Sequence, residues 1–215
     1  IYMSNRFTRA VNAFVKTLLF DDIDQSTTQN PNKNTNLNKE FQSANQYHPT
    51  PSNKEINKEK GYLFERYIIS LFEGNNRPNK KYFEVADWTR DIDKKTTGVL
   101  VKSNQNPDLT FCYNNKNYFA IECKFRTDFT YSFEHECKVL KWSYPSQIKR
   151  YQDFQKERNI PVFIVIGVGG EPNNPQKMYC LPLNEAKYPE LFPSYLQRYE
   201  RNPKKLFFWK NNKLF

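Results

Sequence analysis

Residues 106–125, NPDLTFCYNNKNYFAIECKF, decide how the chain is read. Two runs within them, 109–113 and 118–125, have the apolar character of buried strands, and the intervening NNKN suits a hairpin turn. Yet Asp108, Glu122 and Lys124 stand inside or at the edge of these runs. A buried carboxylate without a partner is costly, so charges in such a setting are paired, hydrogen-bonded or bound to a metal.

Side chains alternate along a strand, which puts Tyr118, Ala120, Glu122 and Lys124 on one face and Phe119, Ile121, Cys123 and Phe125 on the other, core-forming face. If Asp108 lies opposite Glu122 or Lys124, all three charges project together. A loop of three or five residues gives that register, whereas a four-residue loop without a bulge sends Asp108 to the opposite face. Two carboxylates converging in a site of low dielectric repel each other unless a cation lies between them, and carboxylates, a carbonyl and water are the ligands Mg²⁺ prefers. Lys124 on the same face would orient or deprotonate a water, or hold a phosphate oxygen. The pattern describes a metal-assisted phosphodiester hydrolase with no Ser or His nucleophile.

Outward from this hairpin the chain reads as mixed α/β. KGYLFERYIISLFEG predicts a helix with Leu63, Tyr67, Ile68 and Leu71 on one face, ending at Gly74. KYFEVADW predicts a first strand and SQIKRYQDFQKERN a second helix; IPVFIVIGVGG, apolar on both faces, predicts a central parallel strand. KMYCLPL, a short helix near residues 191–199 and a hairpin in LFFWKNNKLF complete the expected elements. The fold class is a mixed β-sheet flanked by helices.

At Pro107-Asp108 followed by Glu122-Cys123-Lys124 the sequence resembles the PD-(D/E)xK, or restriction-endonuclease-like, nuclease superfamily, over about residues 60–170. The resemblance implies a core of helix, three-strand meander, helix and further strand. It further implies that Asp108, Glu122 and the carbonyl of Cys123 bind Mg²⁺ or Mn²⁺, and that Lys124 positions the attacking water. Glu65 in GYLFE falls where many relatives carry a glutamate that supports the site or a second metal. Gln147 and Tyr151 in QIKRYQ match the Gln-x-x-x-Tyr pattern of the RecB-like branch, where they lie beside the site, and their spacing sets both on one helical face. That branch has a histidine where this chain has Glu65; glutamate there is like the restriction-endonuclease and junction-resolvase relatives.

The rest of the chain is consistent with a nucleic-acid partner. Lysine and arginine number 33 against 23 acidic residues, leaving +10, a field that favours a polyanion or an anionic membrane surface. Lys80 and Lys81 in RPNKK, Lys138, Lys141 and Trp142 after the hairpin, Lys149-Arg150 and Lys204-Lys205 are candidates for backbone contact or base stacking. DNA is the expected partner, with RNA not distinguished. The four cysteines form no C-x-x-C pair and the two histidines are too few for a histidine metal site, which argues against zinc and for reduced thiols in a cytoplasmic protein. No apolar run reaches the ~20 residues that span a bilayer.

Phe7, Val11, Phe14, Val15, Leu18 and Leu19 recur at helical spacing within an expected amphipathic helix in residues 1–24, which would dock on the domain, on a second copy as a homodimer or on a protein partner, with membrane contact as the alternative. The chain starts at Ile1, which allows for a fragment whose missing N-terminus carried an anchor. Residues 25–58, rich in Asn, Gln, Ser, Thr, Lys and Pro, bury too little to offset the entropy of ordering and are expected to form a disordered linker before a domain over 59–215. Two further readings compete with the nuclease: a catalytically inactive nucleic-acid-binding module of a mobile-element, conjugation or defence system, and a membrane-peripheral structural protein.

Overall fold

The computed structural model describes residues 52–73, 82–89 and 106–215. The expected N-terminal helix, most of the linker, and the basic loop with Lys80 and Lys81 lie outside them.

Helix α1 (Asn53–Glu73) begins six residues before the expected domain boundary at 59. Ser52 and Glu55 form a reciprocal cap: the Glu55 amide donates to Ser52 Oγ at 3.3 Å and the Ser52 amide donates to Glu55 Oε2 at 2.8 Å. This capping box recruits a polar segment into the helix and corrects the linker boundary. The helix buries Phe64, Ile68, Leu71 and Phe72. Leu63, expected on that face, is exposed, because the stripe centres on the two larger rings one position later.

Strands β1 (Phe83–Trp88), β2 (Leu109–Tyr113) and β3 (Asn117–Arg126) form an antiparallel meander. β4 (Thr130–Ser132) and β5 (Cys137–Lys141) form a hairpin, and α2 (Pro145–Arg158) leads to β6 (Val162–Glu171), which pairs in parallel with β3. β7 (Asn174–Pro182), β8 (Glu190–Leu191), α3 (Pro193–Leu196), β9 (Glu200–Arg201), β10 (Trp209–Lys210) and β11 (Lys213–Leu214) follow. The main sheet runs β1-β2-β3-β6-β7-β9; β4, β5 and β8 make a small second sheet, and β10 and β11 the expected terminal hairpin. Helix, meander, helix and parallel strand is the restriction-endonuclease-like order that the sequence resemblance implies.

The alternation along β3 divides the core. Phe119, Ile121 and Cys123 pack with α1, where Phe72 stacks on Phe111 and on Phe207 at centroid distances of 4.1 and 4.5 Å. Ala120 on the opposite face packs with Trp142 and with Ile148 and Tyr151 of α2. Residues 162–168 of β6 are all buried, as a strand covered on both faces requires.

Gly167 of β6 is where α1 comes closest to the sheet: a Cβ there would meet Phe64 Cε2 at 2.5 Å, and Phe64 is fully buried. Gly167→Ala is therefore expected to destabilise the domain by about 1–3 kcal/mol through overpacking, read as a lower urea midpoint at unchanged slope.

Candidate active site

The turn between β2 and β3 consists of Asn114, Asn115 and Lys116, with both asparagines left-handed at φ 51° and 55°. Asparagine tolerates that conformation better than most residues. This three-residue loop pairs Tyr113 with Asn117 and Leu109 with Ile121, and the same register sets Asp108 opposite Glu122. The expected convergence follows from it.

Pro107 precedes β2, just past the end of the paired ladder at Leu109 and Ile121. Proline has no N–H to continue the ladder, and the Cys123 amide instead donates to Asp108 Oδ2 at 2.8 Å. The carbonyl of Cys123 shares that edge of the strand, since both backbone groups of a paired strand residue point the same way. The even-numbered residues turn toward β6, as the Ala120 amide shows by donating to the Pro161 carbonyl at 2.9 Å.

Glu122 is 1% exposed. Its Oε1 accepts from the Lys124 ammonium and from the Tyr151 hydroxyl, the latter at 2.6 Å. Its Oε2 is buried and finds no partner among the described residues. Burial, then the charge of Glu122, push the Asp108 carboxyl well above the usual range, with a smaller push from Glu65. Burial alone would pull Lys124 down, but Glu122 and Asp108 hold it above the ordinary lysine value. It is thus an ammonium donor and not a base in this arrangement. Burial keeps the Cys123 thiol protonated, which leaves its carbonyl as the candidate donor.

The donor set fits a hard divalent cation: a buried carboxylate oxygen without a partner, a second carboxyl strained by its neighbour, and a carbonyl on the same edge. Among the described residues no three His, Cys, Asp or Glu side chains are placed to hold a metal, so a cation would take Asp108, Glu122, the Cys123 carbonyl and oxygens from water or substrate.

Glu65 reaches the cluster from α1. The Trp88 indole N–H donates to its Oε2 at 2.8 Å, and Trp88 stacks on Tyr62 at 5.6 Å. Trp88 pairs with Leu109, next to Asp108; sequence reading gave it no role, and only the β1–β2 register reveals it. Tyr151 touches Glu122, whereas Gln147, one turn earlier, accepts from the buried Ser143 hydroxyl at 3.1 Å. Arg126 is the other residue missed. It follows Lys124 on the same face and donates to the carbonyls of Phe125, Lys141 and Trp142 at 2.8–2.9 Å, tying the end of β3 to the entry of α2.

The nucleic-acid candidates separate. Lys138 and Lys141 are exposed on the hairpin, and Lys149 is exposed but pairs with Asp153 at 3.2 Å. Arg150 is half-buried beside the Tyr151 ring. Trp142 is a correction: it is fully buried, with its indole N–H donating to the Tyr188 carbonyl at 2.7 Å, and cannot stack on a base. Tyr131 and Phe133, 56% and 89% exposed, are the aromatic residues which that hairpin presents.

No family profile matches the sequence, and neither does any curated protein. Among solved structures, Hjc, a Holliday junction resolvase from the archaeal hyperthermophile Archaeoglobus fulgidus, is similar over 67% of this chain and 97% of its own, at 15% identity and a TM-score of 0.42.

The raised Asp108 has a consequence for stability without metal. A carboxyl whose folded pKa lies above its unfolded value holds its proton more tightly in the native state, so stability falls as pH rises from the ordinary aspartate range through the folded pKa. Asp108→Asn keeps an acceptor for the Cys123 amide and removes the charge. It is expected to raise the Tm of the metal-free protein at neutral pH, by about 2–4 °C for each kcal/mol recovered, and to flatten that slope; calorimetry across pH in EDTA reads both.

Proposed function

We propose that the domain is a metal-dependent nuclease that hydrolyses phosphodiester bonds of DNA. The observation that carries this is the meeting of Asp108 and Glu122 by strand register, with Glu122 Oε2 left unpartnered and the Lys124 ammonium on the same face. Asp108, Glu122 and the Cys123 carbonyl would hold Mg²⁺ or Mn²⁺. Such an ion, when bound, supplies Lewis-acid stabilisation of phosphoryl charge and a more acidic water. Lys124 donates to the attacking water or to a phosphate oxygen. Tyr151 fixes Glu122 through Oε1 and so keeps Oε2 turned to the site. Glu65, held by Trp88, adds negative charge that favours a cation.

In this reading the net charge of +10 draws the polyanion in, and exposed Lys138, Lys141 and Lys149 contact its backbone. None of the described helices is long and apolar enough to cross a membrane, and free thiols at all four cysteines accord with a cytoplasmic setting. One observation favours the alternative of a catalytically idle binding module: Lys124 already neutralises Glu122 within the chain.

Labelled linear, circular, branched and single-stranded DNA incubated with Mg²⁺ or Mn²⁺ separates the two. Cutting is expected in metal, with Asp108→Ala and Lys124→Ala each lowering the rate by ~100-fold or more, the scale of removing an electrostatic group from a transition state, while DNA binding persists. A wild-type chain that never cuts, yet binds equally well in EDTA, would leave the idle module as the function.

A further inference from the structure

At the other end of β3 from the charged cluster lies an open groove of about 1410 Å³. Its walls come from the start of β3 and β6, the C-terminal end of α2, and the segments from the end of β7 to β11. Tyr118 on its rim is four residues from Glu122, ~13 Å at about 3.3 Å per strand residue. The groove is therefore separate from the candidate active site, though within the reach of one bound polymer.

Its charge is one-sided. Lys116, Arg198, Arg201, Lys205 and Lys213 line it against Glu185 and Glu200. Glu185 keeps its charge while accepting from the Tyr195 and Tyr199 hydroxyls at 2.9 and 3.0 Å, which leaves five cations against two carboxylates. None of the five cations lies within ion-pair distance of a carboxylate among the described residues. Arg201 is the most constrained: its guanidinium lies 3.4 Å over the Phe207 ring, Nη2 donates to the Lys205 and Leu206 carbonyls, and Nε and Nη1 are buried without an acceptor. Burial pulls it down to about 10. A desolvated cation with no counter-charge is unfavourable, and negative charge brought into the groove would offset it through space, without touching these buried nitrogens.

A small anion would use the cations alone. The groove also presents flat aromatic faces, with Tyr118 47% and Phe215 46% exposed, and side-chain amides at Asn117, Asn202 and Asn212. Cations that track a backbone, aromatic rings that accept any base and amides for base edges are what a single strand uses. We propose that this groove binds a single-stranded segment of nucleic acid, with phosphates on Arg198, Lys205 and Lys213 and bases on Tyr118 and Phe215. The inference deepens the nuclease reading by naming where the strand continues beyond the site of cutting, and it rests on that reading only for its biological purpose.

The test is fluorescence anisotropy of the full chain in EDTA with a labelled oligothymidine of about 20 nucleotides, longer than the ~4–16 a single-strand site covers. Arg198→Ala/Lys205→Ala/Lys213→Ala is expected to weaken binding by at least ~10-fold and to reduce the slope against log salt by ~2, the release from about three phosphates. Tyr118→Ala/Phe215→Ala should weaken it at least ~5-fold with the slope unchanged. Far-UV circular dichroism checks folding, and the exposed pair Lys116→Glu/Lys213→Glu decides if the triple variant fails to fold. Undiminished binding in folded variants overturns the proposal. So does displacement of the oligonucleotide by inorganic phosphate at matched ionic strength, which would make this a small-anion site. Because the assay needs no metal and no cutting, a chain that cuts normally but binds undiminished in the variants loses only the groove, and one that never cuts but loses binding in them keeps it.

Discussion

The hairpin between β2 and β3 sets Asp108, Glu122 and Lys124 relative to one another at the candidate site. Two asparagines in the left-handed region close a loop of three residues, and from that length follow the pairing of Leu109 with Ile121 and the placing of Asp108 opposite Glu122. A strand has a side-chain period of two, so one residue more or less would send Asp108 into the layer under α1. Pro107 then ends the ladder where it otherwise would have continued, and the Asp108 carboxylate takes the Cys123 amide in its stead. Local conformational preference thus becomes electrostatics within one hairpin.

The electrostatics run against stability. A carboxylate that is 1% exposed with one oxygen unpartnered, next to a second carboxyl raised by burial and then by this neighbour, is an arrangement a packed core would avoid. The surrounding structure holds it: Tyr151 and Lys124 fix one oxygen of Glu122, Trp88 fixes Glu65, and Arg126 locks the strand end to three carbonyls. Conflict between local comfort and the global fold, sustained by rigid neighbours, is the pattern of a functional site.

Much of this was legible in the residues. Period-two alternation in β3 and the apolar run of β6 follow from burial on two faces, and they gave the interior place of β6 and the face that carries Glu122 and Lys124. The start of α1 was not read, because composition hid a capping box that depends on two side chains at a fixed offset. Trp142 was misread for a related reason: amphipathic side chains look alike in solvent and in a core, and only the Tyr188 carbonyl that satisfies its N–H tells them apart. Trp88 and Arg126 were invisible since Glu65, which fixes the one, and the Lys141 and Trp142 carbonyls, which anchor the other, lie 15 or more residues away in sequence.

The packing of Phe207 has a bearing on biosynthesis. Its amide donates to the Leu71 carbonyl at 3.0 Å and its ring stacks on Phe72, while Trp209 stacks on Phe119. The layer that seats α1 is thus finished by residues translated well over a hundred positions after it. Closing so long a loop is entropically slow. On the ribosome, Glu65, Asp108 and Glu122 are all synthesised before Phe207 and Trp209, the residues that finish the layer seating α1.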